Sequence, residues 1–234
     1  MSFEQPKIES GIKKESKAKV EIEDGYEQFI PVEFRNDPFG YFEREGRNIK
    51  SGEIKYDENG RITEDPTAVK DLPPWQDQNG KLLEVVARRV NIEKGEIKKS
   101  GDPFYEYKII KLVRSLGLPA ARPIARAELG RNYLIVMEKI KGVRWSEKDK
   151  LNLRERGYSD EDIEDLKRQA QERMEKLRQR FEAAGIERGW KLKDMVFDID
   201  IERRRIINII PTDWERTKIN QERVQEYRKK LQID

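Results

Sequence analysis

The sequence predicts an α+β domain with a small antiparallel sheet in its first half and helices dominating its second. Three observations carry that prediction. Lys81–Val90 and Ala125–Lys141 are rich in apolar and branched residues in short runs that read as strands. The spacing changes to the helical period over Asp160–Ala184. Gly, Pro and Asp/Asn clusters separate these stretches, as turn chemistry requires.

Taken in order, Met1 to about Asp24 is Lys/Glu/Ser-rich with little periodicity, which predicts a flexible arm suited to wrapping a partner. Residues 25–80 form an extension of short apolar stretches broken by Pro and Gly. Within it, Asp57-Glu58-Asn59-Gly60 between Glu53–Tyr56 and Arg61–Thr63 predicts a hairpin, and Leu72-Pro73-Pro74-Trp75 an extended connector. Lys81–Val90 then reads as a strand and Glu93–Glu96 as a turn. Asp102-Pro103 starts a helix, with Asp as the cap and Pro first inside, and Gly117 ends it. Ala125–Lys141 predicts two strands about a turn at Gly130-Arg131-Asn132. Trp145 onward reads as helical up to a break at Gly157. Ser159 with Asp162 predicts a capping box opening a long helix that stops at Gly185. Its stripe is Ile163, Leu166, Met174, Leu177 and Phe181. Met195–Ile199 and Arg205–Ile210 predict a hairpin, and Asn220–Leu231 a last amphipathic helix.

Composition limits the chemistry. Among 234 residues, 35% are hydrophobic and 41% charged, so a core forms beneath a heavily charged surface. The 49 basic and 46 acidic residues nearly cancel, and a net charge of +3 does not argue for nucleic acid. Absence of Cys excludes disulfides and thiolate metal sites. Absence of His removes the commonest general base and metal ligand, so Ser-His and Cys-His hydrolases are excluded. Any enzyme here would rely on carboxylates, Lys, Tyr or a carboxylate-bound Mg2+. Dense Glu, Lys and Arg without Cys suggests a thermophilic source. No apolar run reaches membrane-spanning length and Met1–Lys19 lacks a signal-peptide core, so the expectation is a cytoplasmic protein.

Four segments carry chemistry. In Val86-Ala87-Arg88-Arg89, Ala87 and Arg89 share a strand face. Glu106 lies on the apolar stripe of Ile109, Ile110 and Val113, and a carboxylate facing a core needs a cationic or hydrogen-bonding partner. The helix dipole alone would also favour an acid there. Gly117–Ala125 with its Pro119 and Pro123 is followed by Tyr133–Met137 and Glu138-Lys139-Ile140-Lys141-Gly142, an apolar strand running straight into a linker. Ile209-Ile210-Pro211-Thr212-Asp213-Trp214-Glu215 ends a strand in an acid, where a hard cation or a simple turn cap would suit Asp213.

Together these segments resemble the protein-kinase-like superfamily, nearest in motif style to aminoglycoside- and choline-phosphotransferase-like kinases. The likeness covers about Lys81 to Ile219. It implies a shortened kinase-like fold: an N-lobe at 81–142 with a small antiparallel sheet, and a reduced helical C-lobe at 143–234. It implies that Ala87 lines an adenine pocket, that Arg89 replaces the strand lysine and pairs with Glu106, and that Met137, Glu138 and Lys139 form the hinge. Asp213 would match the Mg2+-binding acid of the D-F-G segment. Departures are equally specific. Between Glu187 and Phe197 the catalytic loop reads Arg188-Gly189-Trp190-Lys191-Leu192-Lys193-Asp194-Met195-Val196. Set against H-x-D-x-x-x-x-N without gaps, Trp190 takes the place of the Asp and Met195 that of the Asn, leaving Asp194 as the nearby acid. Gly40–Gly46 is not a glycine-rich phosphate loop, and only one helix follows Asp213 where the family uses several.

The expectation is a degenerate kinase-like module that binds a protein partner or serves as a structural part of an assembly. The alternative is an atypical ATP- and Mg2+-dependent phosphotransferase using Arg89, Glu106, Asp194 and Asp213. A second alternative is a nucleic-acid-associated protein whose basic segments, Lys13–Lys19, Arg203–Arg205 and Arg228–Lys230, contact phosphates.

Overall fold

The strand-forming stretches of the first half assemble into one antiparallel sheet, to which residues before Lys81 contribute three of six strands. In the computed structural model, residues 17–49, 52–60, 62–92, 95–145 and 151–232 are described. The first part runs β1 (Lys19–Ile22), α1 (Val32–Asn36), α2 (Pro38–Glu45), β2 (Arg47–Asn48), β3 (Lys55–Tyr56), β4 (Ile62–Glu64), β5 (Val69–Asp71), β6 (Trp75–Gln76), β7 (Leu82–Leu83) and β8 (Val85–Arg89). Then follow α3 (Gly95–Ser100), α4 (Tyr105–Ser115), β9 (Pro123–Leu129), β10 (Asn132–Glu138) and β11 (Val143–Arg144). The remainder is α5 (Asp160–Ala183), β12 (Ile186–Glu187), β13 (Met195–Asp200), β14 (Arg205–Pro211), β15 (Lys218–Ile219) and α6 (Gln221–Leu231).

The large sheet has the order β1-β9-β10-β8-β5-β2. Its outer face carries Ala87, Ala125, Ala127, Leu134 and Val136, small and branched residues that leave room for aromatics. Phe34, Phe42 and Trp75 fill that room, with the Phe34 and Trp75 rings 5.1 Å apart. Burying each such side chain stabilises the fold by about 1.5–3 kcal/mol. Helices α1 and α2 therefore seal one face of the sheet and leave the other for α4 and the cleft. The Gly40–Gly46 stretch lies in α2, with Asp37 capping it through the Gly40 N–H at 2.9 Å.

The second half is built around α5. Ser159 and Asp162 form the predicted capping box, with bonds of 3.1 and 2.8 Å. Leu166, Ala170, Leu177 and Phe181 turn its buried stripe toward Met195, Phe197, Ile206 and Trp214. The predicted β13–β14 hairpin pairs antiparallel and gains β11 on its other edge. Helix α4 inserts Ile109, Ile110, Val113 and Leu116 into the same cluster, so it belongs to both halves. The architecture is α+β, with a small antiparallel sheet followed by a helical half.

Local boundaries differ from expectation for identifiable reasons. The helix predicted from Asp102-Pro103 begins at Tyr105, because Asp102 bonds the Phe104 N–H at 2.9 Å as a turn rather than as a helix cap. The predicted strand Lys81–Val90 breaks at Glu84, and its first part pairs with Trp75–Gln76 as a hairpin about Asp77–Gly80. Trp75 is thus a strand residue and not a connector. Glu93 and Lys94 lie outside the described residues, and Gly95–Ser100 beyond them is helical. Of the predicted helix after Trp145, residues 146–150 lie outside the described residues and Leu153–Gly157 forms turns.

Gly185 is where α5 must hand the chain back to the sheet. Its φ is +75°, and a Cβ there would stand 2.7 Å from the Asn220 carbonyl oxygen and 2.6 Å from the Arg223 Cβ. Gly185→Ala is expected to cost at least about 2 kcal/mol, from left-handed strain plus the clash. A thermal melt within a degree of wild type would refute that.

Candidate functional site

A cleft of about 170 Å³ opens between the inner face of the large sheet and the β13–β14 hairpin. Val69, Val86 and Arg88 line it from the sheet, Met137–Ile140 from the end of β10 and the linker after it, and Val196, Pro211, Thr212 and Trp214 from below. Its volume falls under the roughly 300–1,000 Å³ of pockets that enclose drug-sized ligands.

The strand face presented to this cleft is not the one expected. Ala87 is fully buried under α1 and α2. Arg89 shares that face, lies 5.5 Å over the Phe42 ring and pairs with Glu43 of α2. Ala87 therefore does not line this cleft, and Arg89 pairs with Glu43 rather than Glu106. One residue earlier, Val86 and Arg88 take those positions. Arg88 Nη1 donates to Glu106 Oε1 at 2.7 Å, and its Nη2 donates to Glu215. The shift follows from the extension: α1 and α2 cover the Ala87 face with aromatics, so the neighbouring residues must point the other way.

Two carboxylates thus share one guanidinium. Burial pushes the Glu106 carboxyl up to about 7 although Arg88 pulls it down, and Glu215 and Asp213 add to the rise. Burial works against the Arg88 charge, but Glu106 and Glu215 outweigh it and hold its pKa above the usual value. Glu106 Oε2 is buried and makes no hydrogen bond.

Met137, Glu138 and Lys139 lie on the cleft, but the backbone donors of two of them are taken. The Glu138 N–H donates to the Arg122 carbonyl at 2.8 Å and the Lys139 N–H to the Glu84 carbonyl at 2.9 Å. Lys139 Nζ pairs with Asp71 at 2.7 Å. A planar base lying against Met137, Glu138 and Lys139 would find neither of those N–H groups free.

Below the cleft, the Thr212 N–H and Oγ1 donate to the Asp194 carbonyl at 3.0 and 3.1 Å. These bonds tie the loop before β13 to the segment after β14, so Asp194 and Asp213 border the same region. Asp213 is exposed, and its Oδ1 accepts the Glu215 N–H at 3.3 Å. Met195 is fully buried in the core. Arg188 sits over the Trp214 ring at 4.6 Å and the Trp190 ring at 5.4 Å. Burial lowers its pKa to about 10 even though Asp213, Asp194 and Glu106 act on it from around the cleft. Its Nη1 is buried without a hydrogen bond.

Glu106, Asp194 and Asp213 all act through their charges on Arg188, whereas Arg89 lies on the opposite strand face. Arg88, Arg188 and Glu215 complete the group and were not singled out by the sequence. A sign was present for Arg88, since Leu83, Val85 and Ala87 continue one apolar face and leave Arg88 on the other. Among the described residues no group of three or more acidic side chains could hold a metal ion. Of the basic segments, Arg203 and Arg205 pair with Asp200 at 3.9 and 3.6 Å and Arg204 with Asp162 at 2.8 Å, so their charge is largely answered within the chain. Lys13–Ser16 lies outside the described residues. No helix is long and apolar enough to cross a membrane among the described residues.

No protein-family profile and no curated protein matches the chain. Among solved structures it is similar to WaaP in complex with acyl carrier protein. The match has 14% sequence identity and a TM-score of 0.42, over 91% of this chain and 77% of that one.

Proposed function

We propose that this protein is a kinase-like module that acts by binding, as a component of an assembly with a protein partner, and does not transfer phosphoryl groups. The observation that supports this most directly is the loop between β12 and β13. Where a kinase-like fold needs an acid to orient the acceptor hydroxyl, the chain places Arg188, Gly189, Trp190 and Lys191. Trp190 packs edge-on against Phe181 at 5.3 Å, and Trp214 lies 6.0 Å from Phe181 on the same cluster. The space is filled with an aromatic cluster capped by a cation, and a positioning acid contributes typically a hundredfold or more to such a step. The occupied donors of Glu138 and Lys139 point the same way.

A second reading, an atypical ATP-dependent phosphotransferase, has one observation in its favour. Asp194 and Asp213 both act on Arg188, and the Asp194 carbonyl is bonded by Thr212 of the cleft, so the two acids would hold Mg2+ carried in by a nucleotide, the ion neutralising phosphate charge there. A transfer assay with γ-labelled ATP and Mg2+ separates the two. Label release and transfer are expected to stay at the protein-free background. Turnover that Asp194→Ala abolishes would overturn the binding-module reading in favour of the second.

A further inference from the structure

One edge of the large sheet carries a sequence complementary to itself. Among the described residues no strand pairs with the outer side of β1, so its outward backbone groups lack ladder partners there. Which groups those are follows from the register. The Glu23 N–H donates to the Ile124 carbonyl at 2.8 Å, and the same register sets Glu21 opposite Arg126 and Lys19 opposite Glu128. Successive residues of an antiparallel strand direct their N–H and C=O groups to opposite sides. Lys19, Glu21 and Glu23 therefore bond β9, whereas Ala18, Val20 and Ile22 direct theirs outward.

The side chains divide in the same way. Val20 and Ile22 pack toward the aromatic layer of α1 and α2. Glu21 and Glu23 lie on the other face, where Glu21 accepts from Arg126 and Glu23 from Tyr107 and Lys111. On that face Lys17 and Lys19 precede Val20, and Glu21 and Glu23 follow it. We propose that β1 pairs antiparallel with β1 of a second copy of this chain, about a two-fold axis at Val20, joining the two sheets edge to edge. Val20 then exchanges main-chain hydrogen bonds with its own counterpart, and Ala18 with Ile22 of the partner subunit. Lys19 faces Glu21 of the partner subunit, and Lys17 faces Glu23 of the partner subunit. Edge lysines ordinarily repel a second strand. The change of sign at Val20 turns that repulsion into cross-strand pairing when the copies run antiparallel. In-register parallel strands would set like charges together. Moving the axis to a neighbouring residue would set Lys19 or Glu21 against its own copy. No residue of β1 lines the cleft, so the contact is independent of what the cleft binds.

Sedimentation velocity of the full chain at concentrations up to about 1 mM tests this. With β1 only 4 residues long, the contact is smaller than a standard interface, so the dimer is expected to grow in with concentration. Added salt is expected to weaken it by screening the ion pairs. K17E/K19E sets acids against Glu21 and Glu23 of the partner subunit and is expected to weaken the dimer at least about tenfold. V20P removes an outward N–H while leaving the bonds to β9 in place, and is expected to act in the same direction. Lys17 and Lys19 are exposed, so K17E/K19E decides the question if a thermal melt shows V20P to be unfolded. A wild type that stays monomeric throughout overturns the proposal. A dimer as strong in K17E/K19E as in wild type also overturns it, because association then uses another surface.

Discussion

Arg88→Ala is expected to lower the free energy of unfolding by about 3–5 kcal/mol, while Arg89→Ala changes it by no more than about 1 kcal/mol. The two arginines are adjacent, so the contrast isolates environment from residue type. Arg88 is the shared partner of Glu106 and Glu215, both largely buried. Removing it strands two carboxylates in a low-dielectric site, one of which already has an oxygen without a donor. Arg89 is 39% exposed and its partner Glu43 is 50% exposed. Water screens that pair, and its loss costs mainly the contact with the Phe42 ring. Arg88→Met keeps the aliphatic stem and should destabilise nearly as much as Ala, which assigns the cost to lost charge rather than lost packing. Urea unfolding followed by Trp fluorescence measures all three. Similar losses for Arg88→Ala and Arg89→Ala would mean that the strand register is wrong.

How far the sequence foretells this site can be followed residue by residue. The long α5, its capping box and the β13–β14 hairpin are legible because local signals and tertiary packing agree there. Glu106 is legible for the same reason, as a charge on an otherwise apolar helical stripe. Arg88 is not, because strand register depends on which face is covered, and the cover comes from residues 25–80. Those residues carry no periodicity long enough to announce α1, α2 or β5. Their aromatics, Phe34, Phe42 and Trp75, decide the register from more than ten residues away in sequence. Glu215 escapes for a related reason: its partner lies 127 positions earlier, and no spacing rule connects them. Helix α4 shows how the two halves are joined. Tyr107 Oη donates to Glu23 at 2.6 Å just beyond β1, and Tyr105 Oη donates to the Thr217 carbonyl at 2.8 Å. The helix that carries Glu106 is thus held from both ends of the described chain.

The surplus of carboxylate around Arg88 should also appear as a dependence of stability on pH. Burial raises the Glu106 pKa from the usual 4.5 to about 7 in the folded protein. A group whose folded pKa is raised binds more protons folded than unfolded between those two values. Stability due to Glu106 is therefore fully present below about pH 4.5 and is lost as pH rises through about 7. The size of the shift corresponds to a loss of up to about 3 kcal/mol, taken at about 1.4 kcal/mol per unit. Glu106→Gln removes this titration while keeping shape and a hydrogen-bonding amide, so the difference in unfolding free energy between wild type and variant should shrink across that window. The chain has no His, so no imidazole titration competes there. Glu215 and Asp213 raise the Glu106 pKa, Arg88 and the Trp214 backbone N–H lower it, and Arg188 is a further cation that Glu106 acts on. Urea titrations of both proteins from about pH 4.5 to about pH 7 give the difference directly. A difference that stays flat, or grows with pH, would show that Arg88 fully neutralises Glu106 and that Arg88, Glu106 and Glu215 carry no surplus charge.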